Sequence, residues 1–204
     1  NDAVAEPGWL DALVETAERR PEVGLCASLM LFHDDPRLVE NAGIELLSSG
    51  DAVPRGRGQR RERFTRPVDV IGACGGAVLY RAAMLRAIGL FEDDFFANFE
   101  DVDLSLRAAR TGWRCAFVPD AVVRHRLGRS IRKARNEEFN VRSLRNLYLA
   151  NRVNLPAAVR LLNGPWVWLR ELVLCLVTPL FGQASIARTV RHARRAAAER
   201  LPSL

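Results

Sequence analysis

The chain has 204 residues, of which 49% are hydrophobic, so it can bury one core with room for a helical appendage. Its formal net charge of +6 would by itself favour nucleic acid or an anionic membrane as a partner. However, Lys133 is the only lysine, so we attribute the charge to an arginine-rich codon bias and expect no nucleic-acid partner. The four cysteines are widely spaced in apolar segments, which excludes a disulfide framework or a zinc site and indicates reduced thiols in a cytosolic protein: Cys26, Cys74, Cys115 and Cys175.

The first 125 residues alternate between helical and strand patterns. Apolar residues at helical spacing predict a helix over residues 9–20, and the continuous apolar run 23–32 predicts a buried strand. Residues 33–68 combine turn-forming residues with an arginine- and glycine-rich stretch, which predicts a loose hairpin and a mobile loop. Shorter elements follow in order: strands at 68–71 and 77–80, helices at 81–88 and 102–110, and strands at 115–118 and 121–125.

The character of the sequence changes after residue 125. A basic segment leads into a predicted helix over 137–159, and the arginine-rich tail 188–200 predicts a solvated or membrane-facing helix. Residues 166–182 are the most apolar stretch but are short for a membrane span, so an interfacial helix and a helix docked on the domain are both open interpretations. We therefore divide the chain into a domain at 1–135 and a helical extension at 136–204, with peripheral membrane contact through 166–204 as one interpretation.

Two adjacent carboxylates, Glu100 and Asp101, follow a run of aromatic residues and precede an amphipathic helical pattern. Acidic residues favour helix N-termini, so a capped surface helix is one interpretation. The alternative is a carboxylate pair partly screened from water by Phe95, Phe96 and Phe99. A carboxylate in such surroundings can have a raised pKa and serve as a general base.

This run resembles the Glu-Asp motif of the inverting glycosyltransferases of family 2, in which the second acid, here Asp101, deprotonates the acceptor hydroxyl. Other segments resemble motifs of that family in the same order along the chain: 1–10, 71–80, 112–119 and 121–125. In the family, the first of these carries a metal-binding acid, which corresponds to Asp2. The second is a glycine-rich segment between the donor and acceptor sites, and the last two are a strand pair that ends in a metal-binding histidine, His125.

The resemblance implies roles for particular residues. Asp101 is the implied base, and Glu100 orients the acceptor hydroxyl or holds Asp101 in place. Asp2 and His125 are the implied ligands of a divalent metal, Mg²⁺ or Mn²⁺, bound against the donor diphosphate. The implied substrate-binding residues are Trp9, Gly72, Ala73, Cys74, Gly75 and Gly76. From the residues alone, the glycines can equally form a tight turn, and a lone histidine is more often structural than ligating.

The resemblance also implies a fold and an activity. The expected fold class is α/β, a partial GT-A (Rossmann-like) mixed sheet with flanking helices, plus the C-terminal helical extension. The chain opens on the metal motif, without Met and without the family's first nucleotide-binding strands, so we expect a fragment that is inactive alone.

The parent protein is expected to transfer a hexose with inversion from a nucleotide-sugar donor to a saccharide or lipid-linked acceptor, in bacterial cell-surface polysaccharide synthesis. Rhamnosyl transfer is the first expectation, in the cytoplasm at the inner face of the membrane. The alternative is a catalytically inactive, membrane-associated scaffold or binding domain. A nucleic-acid binding module is disfavoured because it leaves Glu100 and Asp101 without a role.

Overall fold

The computed structural model describes residues 2–96, 98–126 and 136–200, and a mixed β-sheet is its central element. The strands are β1 (Ala3–Ala5), β2 (Val23–Phe32), β3 (Val39–Asn41), β4 (Ile44–Leu46), β5 (Ala52–Pro54), β6 (Val68–Val70), β7 (Val78–Tyr80) and β8 (Arg114–His125). The helices are α1 (Trp9–Arg19), α2 (Ala82–Ile88), α3 (Glu100–Arg110), α4 (Glu137–Asn154), α5 (Ala157–Leu172) and α6 (Ala184–Arg200). Short 3-10 turns occupy Arg61–Arg63 and Asp93–Phe95.

The two longest strands, β2 and β8, lie side by side in parallel at the centre of the sheet. β1 and β6 pair with the other edge of β8, and β3 and β7 pair with the other edge of β2, all of them antiparallel. β2 has the bounds predicted from its apolar run, but β8 is one strand where two were predicted. Its pairing with β2 passes from Val118 directly to Val122, so a bulge accommodates Pro119 without ending the strand.

Helices cover both faces of this sheet. On one face, Leu13 and Ala17 of α1 pack against Cys26 of β2. On the other face, Met84 of α2 and Ala108 of α3 pack in a second cluster with residues of β2 and β8. Both clusters are buried because successive side chains of a strand point to opposite faces. The predicted arrangement of a sheet with flanking helices is therefore confirmed.

The segment 33–68 is more regular than the predicted mobile loop. It contains the antiparallel hairpin β4–β5 and the strand β3, which joins the main sheet. The backbone of Val39 exchanges hydrogen bonds with Gln59 and Gly58 at 2.9 and 2.8 Å. The guanidinium of Arg55 lies over the rings of Phe64 and Phe117, 5.0 and 5.2 Å from their centres. These contacts attach the arginine-rich stretch to the sheet.

The C-terminal extension is helical as predicted, but its helices begin and end at other residues. The single helix expected over 137–159 is two helices, because Pro156 interrupts the pattern between α4 and α5. The tail was predicted to be solvated or membrane-facing. Instead, α6 buries one face of small residues, Ala187, Val190, Ala193 and Ala197, and packs against α4. The small side chains had hidden this periodicity in the sequence.

One apolar helical stretch of the extension is largely exposed. α5 continues without a break through a π-helical turn, Val173–Val177, and a 3-10 turn, Thr178–Phe181. Among the residues that the structure describes, this 25-residue stretch is the one long and apolar enough to cross a membrane by length and composition. Only 6% of its most apolar window is buried, so it is not a core helix of the described chain.

Candidate active site

The acid pair Glu100 and Asp101 lies in the first turn of α3. The loop that precedes it has an unusual backbone conformation. Among the described residues, those with positive φ other than glycine are Phe96, Asn98 and Phe99, at 55, 66 and 65°. All three directly precede α3. Positive φ is costly for residues with a Cβ, and such conformations cluster at functional sites where surrounding structure enforces them.

A buried asparagine of α4 enforces this backbone. The side-chain amide of Asn146 is fully buried, and its Nδ2 donates to the carbonyl oxygens of Phe95 and Asn98 at 2.8 and 2.9 Å. One turn earlier on α4, the hydroxyl of Ser143 accepts a 2.7 Å hydrogen bond from the side chain of Asn98. The first helix of the extension therefore fixes the loop that carries the acid pair.

The Asp101 carboxylate is held by two backbone amides. Its Oδ2 accepts from the N–H of Gly75 at 2.9 Å, and its Oδ1 accepts from the N–H of Val102 at 2.8 Å. Burial raises the pKa of Asp101 above the usual aspartate value, although these hydrogen bonds to its charged form lower it. The group is therefore fixed in orientation and more basic than an exposed aspartate.

Burial also raises the pKa of Glu100, and the neighbouring charge of Asp101 adds to this effect. Within the described part of the chain, its Oε2 is buried and has no hydrogen-bond partner. The aromatic residues before α3 screen the acid pair from water only in part. Phe95 is buried and Phe99 half-buried, but Phe96 is 81% exposed and lies under the guanidinium of Arg142, so its predicted screening role is wrong.

A cavity of about 420 Å³ opens in front of Asp101. The hairpin β4–β5, the glycine-rich segment, the start of α3 and the start of α4 surround it. The lining residues are Asn41, Ile44, Ala52, Val53, Pro54, Cys74, Asn98, Phe99, Asp101, Val102, Phe139, Asn140 and Ser143. Polar amide and hydroxyl groups beside an aromatic ring and a basic carboxylate suit a ligand that carries several hydroxyls.

The structure gives the residues of the glycine-rich segment different positions. Gly72 and Ala73 are buried, and a Cβ on Gly72 would lie 2.4 Å from the hydroxyl of Ser105, so this glycine allows α3 to approach closely. Cys74 lines the cavity, and its thiol pKa is raised to about 12 by burial and then by the charge of Asp101. Gly75 and Gly76 are exposed. Substrate contact thus stays a prediction for residues 74–76, whereas 72 and 73 pack against α3.

Trp9, the other predicted substrate-binding residue, begins α1 and is half-buried. Its indole N–H donates to the hydroxyl of Ser28 at 2.8 Å. Its ring packs against a small cluster that contains Met30 and Ala77, next to Cys74. Trp9 therefore packs against the glycine-rich segment and helps to hold it in place.

The predicted metal ligands meet at the edge of the sheet. β1 pairs with the end of β8 so that Ala3 lies opposite His125, and this register brings the preceding residue, Asp2, beside the ring. The Nε2 of His125 is 3.8 Å from Oδ1 of Asp2. On the other side of the ring, Nδ1 is 2.9 Å from Oε2 of Glu40, a buried carboxylate of β3.

Glu40, the partner of His125, lies near the acid pair. The Cys74 thiol lies close enough to Asp101, Glu40 and Glu100 for all three charges to raise its pKa. Asn41, which follows Glu40 on β3, lines the cavity together with Asp101. His125 is not among the residues that line this cavity, so a cleft shared by His125 and the acid pair stays a prediction.

The donor atoms at this edge fit a divalent cation. Two ligands at roughly 2.1 Å from one ion are at most about 4.2 Å apart, so the 3.8 Å separation of His125 Nε2 and Asp2 Oδ1 is compatible with a shared ion. Glu40 is placed as the carboxylate that orients a metal-binding histidine. Over the described ranges, no cluster of three or more such side chains forms a complete metal site, so substrate or water oxygens would fill the remaining positions.

Sequence reasoning missed several of these residues. Glu40 lies in a segment predicted to be a hairpin and loop, and its only signal was an acidic residue directly after the apolar pair Leu38 and Val39. Asn146 lies on a helix that was predicted without a role in the site. Both residues act through partners that are more than 40 positions away in the chain, at His125 and Phe95.

Comparison with known proteins agrees with this geometry. The model of the family described as "Glycosyltransferase like family 2" matches residues 1–146. An N-acetylglucosaminyl-diphospho-decaprenol L-rhamnosyltransferase of Mycobacterium tuberculosis is 31% identical over 134 residues, 58% of this chain and 42% of that protein. The O-antigen biosynthesis protein RfbC of Myxococcus xanthus is 32% identical over 121 residues, 54% of this chain and 9% of that protein. The chain thus spans less than half the length of these relatives.

A solved structure supports the fold. The crystal structure of GalNAc-T7 with UDP, GalNAc and Mn²⁺ superposes with a TM-score of 0.55 and 14% sequence identity. The superposition covers 74% of this chain and 30% of that one. The expected α/β, GT-A-like fold is therefore confirmed, and with a family model that spans residues 1–146, the chain belongs to glycosyltransferase family 2.

Proposed function

We propose that the complete protein carrying this chain is an inverting glycosyltransferase of bacterial cell-surface polysaccharide synthesis. The observation that carries the proposal is Asp101, a carboxylate fixed by two amides, raised in pKa by burial and open to a cavity with polar walls. Family membership and the names of the relatives support the same activity.

In this proposal, a hydroxyl of the acceptor lies in the cavity against Asp101. Asp101 accepts the hydroxyl proton as the oxygen attacks the anomeric carbon of the donor sugar from the face opposite the diphosphate. The bond from that carbon to the diphosphate breaks as the new bond forms, so the configuration inverts. Glu100 orients the hydroxyl or holds Asp101.

Asp2 and His125 are the proposed ligands of Mg²⁺ or Mn²⁺, with Glu40 holding the imidazole ring. Held by these residues, a divalent cation would neutralise the charge that develops on the departing diphosphate. The oxygen and imidazole donors of the two residues suit either ion, and their separation of 3.8 Å is compatible with both.

We propose a nucleotide sugar as the donor, with L-rhamnose as the first sugar to test, and a saccharide or lipid-linked acceptor. The 31% identical relative supports this choice through its printed name, which gives rhamnosyl transfer to a lipid-linked diphosphate sugar. The test is a panel of nucleotide sugars with the complete protein, followed by NMR of the product's anomeric configuration. A product with retained configuration, or no transfer from any donor, would contradict the proposal.

We further propose a cytoplasmic location at the inner face of the membrane, with peripheral contact through 166–204. The exposed residues of the apolar stretch support it, among them Trp166, Leu176 and Leu180. An interfacial position is favoured over a span because two charged residues in the middle of the stretch have partners in the protein: Arg170 bonds to Asp51 of the hairpin, and Glu171 to Tyr148 of α4. Flotation with anionic vesicles tests the contact, and protein that stays at the bottom of the gradient argues against it.

A further inference from the structure

A second cavity lies in the helical extension, with a volume of about 290 Å³. It is enclosed by α4, α5 and the turn of the hairpin β4–β5. Four arginines line it: Arg152, Arg160, Arg170 and Arg194. Its remaining surface is mostly apolar and includes the ring of Trp168. None of these side chains has a role in the proposed reaction.

Two of the four arginines are committed to carboxylates. Arg170 is largely buried and contacts Asp51 at 2.6 Å and Glu171 at 3.1 Å, and Arg194 contacts Glu171 at 2.7 Å. Tyr148 donates a further hydrogen bond to Glu171 at 2.7 Å. This network is structural, because it connects α4, α5, α6 and the hairpin. Its two positive and two negative charges cancel.

The other two arginines have no carboxylate partner among the described residues. In the part of the chain that the structure describes, the guanidinium of Arg160 donates only to the carbonyl oxygens of Arg152 and Leu155 at the end of α4, and that of Arg152 makes no hydrogen bond. Four guanidinium groups against two carboxylates leave the cavity with two excess positive charges. Guanidinium groups match phosphate oxygens in geometry and charge, so this cavity suits a ligand with a diphosphate group.

The second cavity shares two walls with the cavity in front of Asp101. Asn140 lines the first cavity and Asn151 the second, both on α4. Their eleven-residue separation is close to three helical turns, so they lie on one face of α4, about 16 Å apart along its axis. The hairpin β4–β5 also lines both cavities, since Ala52 lines the first cavity and Gly50 the second. α4 and the hairpin thus border both cavities.

We propose that this arginine-lined cavity binds the diphosphate of a lipid-linked sugar acceptor. A glycan of several sugars extends from this diphosphate along α4 and the hairpin toward Asp101, and the first part of the lipid lies against Trp168 and the exposed apolar residues of α5. The proposal rests on the proposed function, and it names the acceptor class and the place where that acceptor is recognised. The apolar stretch then lies where the lipid chain leaves the protein.

The kinetic test uses the complete protein and the double variant Arg152→Gln, Arg160→Gln. Each charged hydrogen bond contributes enough that we expect the KM for a lipid-diphosphate acceptor to rise about tenfold or more. The KM for the nucleotide sugar and the activity on an alkyl glycoside without diphosphate should stay within twofold. Arg195→Gln is the matched control, because this arginine is 83% exposed and pairs with Glu199. An acceptor KM within twofold of wild type would overturn the proposal.

A binding test needs no turnover. Calorimetry with farnesyl diphosphate, in EDTA to suppress metal-dependent donor binding, should show binding that the double variant weakens about tenfold and Arg195→Gln leaves unchanged. If the double variant loses only its binding to phosphatidylglycerol vesicles, the arginines recognise bulk lipid and the proposal is wrong. If the protein binds farnesyl diphosphate through these arginines but transfers no sugar, the site is supported and the proposed function is wrong.

Discussion

The Nδ1 atom of His125 lies 2.9 Å from Oε2 of Glu40, a carboxylate that is 5% exposed. A buried carboxylate on one ring nitrogen favours the tautomer whose other nitrogen is free to bind a cation. Here the other nitrogen faces Asp2, so the contact fits the proposed metal role of His125 better than a purely structural one.

Glu40→Ala should therefore weaken Mn²⁺ binding by about 10- to 100-fold, the usual effect of losing a residue that orients a metal ligand. Glu40→Gln should lose less, because its amide oxygen still accepts from Nδ1–H. The measurement is Mn²⁺ electron paramagnetic resonance in the presence of a nucleoside diphosphate. Glu45→Ala, which removes an exposed acid from β4, is the control, and equal affinity in Glu40→Ala and this control would contradict the role.

Asp101→Asn should abolish the base while keeping its size. We expect donor binding to survive and transfer to fall by about 10²- to 10⁴-fold, the range that a general base contributes. Asp93→Asn, at an exposed position of the same loop, should keep full activity. If the Asp101→Asn enzyme retained more than a third of wild-type turnover, another group would have to be the base.

The pH dependence of transfer should follow the same carboxylate. Because burial raises the pKa of Asp101, the acid limb of kcat/KM should lie above the ordinary aspartate pKa of about 3.9. Transfer should decline as the pH falls through that raised pKa. A profile that stays flat down to about pH 4 would show that the titrating group is not a buried carboxylate.

Glu100→Gln should stabilise the protein at neutral pH. A glutamate whose folded pKa is raised binds protons more readily in the folded state, so its ionisation opposes folding increasingly as the pH rises from the unfolded pKa, and fully above the folded pKa. The stability gained by the Gln variant should therefore be present at pH 8 and shrink as the pH falls toward the glutamate range. Urea unfolding at several pH values measures it, and a gain that grows on acidification would contradict the sign.

Asn146→Ala should disturb the position of the acid pair, because Asn146 holds the loop that precedes it. The substitution removes both hydrogen bonds to the loop and leaves the buried carbonyl of Phe95 unpaired, at a cost of about 1–3 kcal/mol, with a smaller cost at the half-buried carbonyl of Asn98. We expect a lower free energy of unfolding and a larger loss of kcat than of donor affinity. Asn140→Ala, six residues earlier on α4, should retain most of the stability, and a similar loss there would mean that the effect is not specific to the loop.

Elements with a regular spacing of apolar residues were predicted correctly from the sequence. The strand β2 and the helix α1 follow from uninterrupted apolar spacing, and Asp101 was recognisable from its motif. Glu40 was not recognisable, because its strand is only three residues long and its hydrogen-bond partner, His125, lies 85 positions away in the chain. The role of Gly72 was also hidden, since the atom that excludes a Cβ there belongs to Ser105 of α3.

The positive φ angles of Phe96, Asn98 and Phe99 also bear on how the protein can be divided. Each such conformation costs on the order of 1–3 kcal/mol and persists only while its surroundings impose it. Asn146 of α4 supplies that constraint from outside the sheet. A chain cut before α4 should retain the sheet but let the acid pair relax, so the base depends on the C-terminal extension for its conformation.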